Sequence, residues 1–145
     1  MQDINTLLLE LNKGNLGMFR YDYEDHTCFI DLENDLGIIL QLSGKSIVKE
    51  RIELLKNILQ NYENYIEAAV NFLKSYQFDL GKNYFLDGIY VGEFSHGTYG
   101  FHIFDGFTLS LKREDGTDAD LLNLDVYTVQ FKNDGHPIGA ALWFE

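Results

Sequence analysis

The chain has 145 residues, 46% of them hydrophobic and 14% aromatic, with a formal charge of −12. That length suits one domain, residues 1–145, and the apolar content builds a core without a disulfide or metal, which excludes a disordered chain or a disulfide scaffold. A field of that sign disfavours nucleic acid and anionic membrane surfaces and makes a basic protein the expected partner where charge steers recognition.

In chain order, Ile4 to Asn12 reads as a short helix stopped at Lys13-Gly14-Asn15. No basic start or long apolar stretch precedes or follows it, so the expected compartment is the cytoplasm, with no membrane span. From Leu16 the period changes to alternation. Met18 to Tyr23 predicts a half-buried strand, Cys28 to Leu32 a second, and the nearly all-apolar Gly37 to Leu42 a central third. A helix over 47–76 follows. Ile52, Leu55, Leu59, Tyr62, Ile66, Ala69, Leu73 and Tyr76 recur at alternating steps of three and four, widened by Ile58, Val70 and Phe72. That width suits a helix packed on a sheet, and Asn61 and Asn64, poor helix formers, mark a kink or a break. After Gly81 everything reads as β. Asp87-Gly88 and Asp105-Gly106 are flanked by apolar runs and predict hairpin turns, the second the stronger. Leu124 to Phe131 alternates, Asn133 to Pro137 turns, and Ile138 to Phe144 closes the chain. The expected fold is therefore α+β, an antiparallel sheet packed on one long, kinked helix.

Tests for chemistry come out negative. Ser43-Gly44-Lys45-Ser46 lacks the upstream glycine of a phosphate loop and reads as a helix cap at Ser46. The single cysteine, Cys28, lies in an apolar run among carboxylates, where a buried, inert thiol is expected. His26, His96, His102 and His136 lack the paired spacing of a zinc site. The acidic run from Glu114 to Asp120 has its glycine in the wrong place for a calcium loop. No nucleophile elbow and no dinucleotide fingerprint is present. The expectation is a protein without catalytic residues, metal or cofactor.

The distribution of acids is the remaining signal. Asp22, Glu24, Asp25, Asp31, Glu33 and Asp35 form one block free of Lys and Arg, and Glu114, Asp115, Asp118, Asp120 and Asp125 form another. Acidic loops keep a small protein soluble. The alternative is that the two blocks form one negative patch for a basic partner.

The strand Leu36 to Leu42 leading into the long helix, with the closing hairpin Val126 to Phe144 around Phe131-Lys132-Asn133-Asp134-Gly135, resembles small bacterial proteins of the toxin-immunity type from Gly37 onward. The resemblance implies a single-domain binder without enzymatic activity and carries over no functional residues. The leading expectation is an acidic protein-binding module, an immunity-type inhibitor of a basic toxin or nuclease. The alternatives are a small-ligand-binding or enzymatic domain with a pocket between helix and sheet, and a self-associating structural domain that uses its exposed aromatics.

Overall fold

The computed structural model describes residues 2–15, 19–24, 26–31, 36–41, 47–78, 80, 83–96, 102–113 and 124–144. Three helices and seven strands follow in the order α1 (Gln2–Asn12), β1 (Arg20–Asp22), β2 (Thr27–Asp31), β3 (Gly37–Gln41), α2 (Ile47–Gln60), α3 (Tyr62–Ser75), β4 (Tyr84–His96), β5 (His102–Arg113), β6 (Leu124–Lys132) and β7 (Pro137–Phe144). The strands lie side by side in that same order in one sheet.

The sheet is mixed, which corrects the expectation of an antiparallel sheet packed on one long helix. β3 and β4 run parallel, Gly37 opposite Gly88 and Leu40 opposite Val91, while every other neighbouring pair is antiparallel. The cause is the crossover between them: parallel neighbours need a long connection, and a helical one meets that need. The helical region 47–76 is two helices. At the break, Asn61 leaves helical geometry (φ −125°, ψ 25°). Its side-chain amide donates to the Asn57 carbonyl at 3.0 Å and to Asn57 Oδ1 at 2.9 Å. An amide that bonds locally in this way competes with the helix ladder, which is why asparagine ends helices.

Neither Asp-Gly dipeptide turns the chain. Both sit inside the two longest strands, and the chain passes from β4 to β5 between His96 and His102, which face each other across the ladder. Asp87 is the extra residue of a bulge, since Leu86 pairs with Leu111 and Gly88 with Ser110. Gly106 has a different reason to be glycine. A Cβ there would lie 2.1 Å from the Phe131 carbonyl oxygen, so the neighbouring strand's backbone occupies the place of a side chain.

One face of the sheet carries the core. Ile38 and Leu40 (β3), Ile89 and Val91 (β4), Phe107, Leu109 and Leu111 (β5), and Val129 and Phe131 (β6) are buried there against Leu55, Ile58 and Leu59 of α2 and Ala69, Val70 and Leu73 of α3. The predicted stripe is therefore largely correct, although Tyr76 is 62% exposed. Phe107 and Phe131 stack at 4.7 Å, and the Tyr65 ring stands edge-on to both. Tyr65 also accepts a 2.9 Å hydrogen bond from the Asn57 amide, which joins α2 to α3 beneath the aromatic cluster. α1 packs on α2 and buries Ile4, Leu7 and Leu11. Among the described residues no helix is long and apolar enough to cross a membrane.

Leu59 is 2% exposed and Glu63, one turn on, is exposed. Leu59→Ala should cost about 2–5 kcal/mol in a urea unfolding experiment, and Glu63→Ala no more than about 0.5 kcal/mol.

Candidate functional site

Strand pairing assigns each side chain to a face, because residues opposite one another share a side of the sheet. On the side away from the helices, one row runs Arg20, Phe29, Ile39, Tyr90, Thr108, Gln130, and the next runs Gly37, Gly88, Ser110, Thr128. No described helix covers these rows. Phe29, Ile39 and Tyr90 project beside two adjacent glycines, and the missing side chains leave a cavity of about 290 Å³ lined also by Thr108 and Ser110. Ile39 is 41% exposed although it lies in a central part of the sheet. Arg20 stacks its guanidinium 4.7 Å from the Phe29 ring centre and holds that wall in place. On the floor, the Ser110 and Thr128 hydroxyls lie 3.0 Å apart. A Cβ on Gly88 would meet only ordinary contacts, the Gly37 oxygen at 3.5 Å and Ser110 Cβ at 3.7 Å, so the cavity has room for a methyl group.

Beside the cavity the sheet is locked by charge. Glu93 and Asp105 face each other across the β4–β5 ladder, an arrangement that repels by itself. Arg51 of α2 settles between them. Its side chain is 2% exposed, with Nη2 3.7 Å from Glu93 Oε1 and Nε 3.5 Å from Asp105 Oδ1. Nη1 donates to the Gln41 carbonyl at 2.7 Å. The Gln41 side chain lies over Gly92, where a Cβ would be 2.6 Å from Gln41 Cβ, and its Oε1 accepts the Glu93 N–H at 2.7 Å. Tyr90 connects this cluster to the cavity, since its ring lines the groove and its hydroxyl donates to the Glu93 carbonyl at 2.7 Å. Burial pushes the Tyr90 hydroxyl above its ordinary pKa, opposed by Arg51 and assisted by Glu93 and Asp105. The phenol therefore stays neutral and acts as a hydrogen-bond donor at neutral pH.

The expected partner-binding acids fall at both ends of the strands. Asp22 ends β1, where its Oδ1 accepts the Glu24 N–H at 2.9 Å and closes the turn toward β2. Asp31 ends β2 opposite Gly37, and Asp125 lies in β6 where the register shifts between Leu124 and Val126. β2 thus carries the chain across its five residues, roughly 16 Å, from Asp22 and Glu24 to Asp31. Asp31 and Asp125 sit four strand positions apart, roughly 19 Å. Asp25, Glu33, Asp35, Glu114, Asp115, Asp118 and Asp120 lie outside the described residues.

Burial pushes the Cys28 thiol above its usual range, which lowers its thiolate content. His136 Nδ1 lies 3.1 Å from Asp134 Oδ1 in the β6–β7 turn. Among the described residues no three His, Cys, Asp or Glu side chains are grouped to hold a metal ion.

Sequence reading missed the glycine-floored cavity and the buried arginine. Arg51 had a signal: it precedes Leu55 by four and Ile58 by seven, so it stands on the apolar stripe, where a cation needs a partner. Gly37 and Gly88 had none, because their adjacency depends on the parallel register. Comparison of the chain with protein-family models, curated proteins and solved structures gives no match.

Arg51→Met should destabilise the fold by about 3 kcal/mol, the low end for breaking a buried pair because both carboxylates are nearly half exposed. Adding Asp105→Asn should restore part of that loss, read as a shift of the urea midpoint back toward wild type.

Proposed function

We propose that this chain is a non-catalytic binding module that holds a basic protein on the uncovered face of its sheet, with one or two apolar side chains of the partner seated in the groove between Phe29, Ile39 and Tyr90. The observation that carries the reading is this groove: an exposed aliphatic side chain beside a glycine-floored cavity, on a face that no described helix covers. Its volume, about 290 Å³, is at the lower end of small-molecule sites. The described lining offers hydroxyls and apolar surface but no carboxylate, imidazole, amine or thiol. Such a lining favours insertion of a partner's side chain over chemistry on a substrate. The charge of −12 supports a basic partner, since a field of that size speeds the encounter and excludes other acidic chains. Inhibition of a basic toxin or nuclease, the immunity-type role, is the biological function this reading favours.

A random peptide library displayed on phage provides a defined probe. Selection on the wild-type chain should enrich peptides that place a large aliphatic or aromatic residue beside Lys or Arg. Ile39→Asp and Gly88→Val, the second filling the cavity, should each weaken those peptides by about tenfold or more. Added salt should slow their association. Enriched peptides that bind both variants as well as wild type, or that carry no basic residues, would remove the basis for this reading.

A further inference from the structure

The two edges of the sheet are unlike. β1 is three residues long and carries Arg20 and Asp22, so it offers little backbone to an incoming strand and defends that with charge. β7 runs eight residues, Pro137-Ile-Gly-Ala-Ala-Leu-Trp-Phe144, without one ionisable side chain. Its only proline is the first residue, where it removes no donor from the strand's middle. Among the described residues no strand pairs with the outer side of β7. Its ladder with β6 shifts register at Ile138, a bulge near the strand's start, but from Gly139 to Trp143 it pairs regularly and carries no lysine to blunt a row of N–H and C=O groups that templates another strand.

A second observation falls at the same edge. The end of α3 and the residues after it expose Tyr76 (62%) and Phe78 (42%). Phe78, Leu73, Tyr127, Ala140 and Ala141 surround a small apolar hollow of about 70 Å³ between the helix end and β7. Backbone valences and apolar side chains are thus offered together, on one side of one edge.

We infer that this edge binds a second copy of the same chain, β7 against β7 in antiparallel fashion, to give a sheet continuous through two molecules. Charge selects the occupant. A basic partner drawn to the chain's negative field finds no carboxylate along β7, whereas another β7, equally uncharged, meets no like charge there. Symmetry agrees with this choice. A twofold axis normal to the sheet makes the strands antiparallel and keeps both helical layers on the same side. Phe78 of one copy, at the hollow beside β7, then lies on the same side of the shared sheet as Phe78 of the other. Two chains of charge −12 repel at long range, so the contact gains strength as salt screens that repulsion.

Sedimentation equilibrium of the full chain across a concentration series, in low and high sodium chloride, tests the pairing. The expected result is a monomer–dimer equilibrium that shifts toward dimer as salt rises. That is the opposite salt response from binding a basic partner, so this inference and the function proposed above succeed or fail separately. Ala140 is exposed, opposite Val129 and at the hollow beside Phe78. Ala140→Lys should weaken the dimer by about tenfold or more. Phe78→Ser, which leaves the strand untouched, should weaken it as well, with both variants keeping the wild-type circular dichroism spectrum. The amides of β7 should exchange hydrogen more slowly as protein concentration rises. A chain that stays monomeric at all concentrations and salt levels, or a dimer indifferent to both substitutions, overturns the inference.

Discussion

One guanidinium fixes the relation between the helices and the sheet. Arg51 is the only charged residue among the largest fully buried side chains described, and it reaches three strands, at the Gln41 carbonyl, Glu93 and Asp105. Apolar packing is tolerant of small slips because it has no direction. A planar cation is not: Nη1 has a set line of approach to the Gln41 carbonyl at 2.7 Å, and the two carboxylates hold the rest of the guanidinium by charge at 3.5 and 3.7 Å. The consequence is a fixed register where it matters most. α2 leaves β3 just after Gln41, and its arginine returns to that residue and to β4 and β5. The parallel pairing of β3 with β4 then places Gly37 beside Gly88, and the groove on the far face exists only in that pairing.

Much of this was legible in the sequence, for reasons that differ by element. The apolar periodicity of 47–76 gave the buried faces of α2 and α3, and Asn61 marked the break while Asn64 lies inside α3, because both signals are local. The sheet's order was not legible. Asp105-Gly106 has the chemistry of a tight turn, yet Asp105 lies in the strand to meet Arg51, and Gly106 is there because Phe131 approaches too closely for a side chain. Both reasons are tertiary contacts, and they override the turn preference of the dipeptide. The parallel pair escaped notice for the same kind of reason. Gly37 to Gln41 is short and apolar, as strands buried in parallel surroundings are, but a short apolar run does not declare the direction of its neighbour.

Asp22 and Asp31 belong to one run in sequence, but β2 stands between them and carries them to opposite ends of the strands. With a screening length of about 8 Å at physiological salt, charges at the two ends act on a bound partner as separate groups. They still add to the field felt at a distance, where net charge governs. The division of labour in the proposed function follows from this. In that proposal distributed acids raise the encounter rate, and the apolar groove, which is local, sets how long the partner stays.

The contrast between the uncovered face and the β7 edge carries that logic one step further. Both are apolar and lie on the same acidic chain, but they present different valences. The face has its backbone fully engaged in the sheet, so it recognises by side-chain shape alone, and a single bulky residue entering the groove satisfies it. The edge has backbone groups to offer and small side chains at its centre, Gly139, Ala140 and Ala141. Backbone pairing reads no sequence, so its selectivity has to come from what accompanies it, here the absence of charge along β7 and the aromatic pair Tyr76 and Phe78 at the helix end. A copy of the chain meets both conditions by construction. A twofold pairing at β7 would also leave the groove open on the opposite side of each molecule, several strands away from the contact. On the two proposals, one chain would hold its copy and its partner together, with rising salt favouring the first and weakening the second.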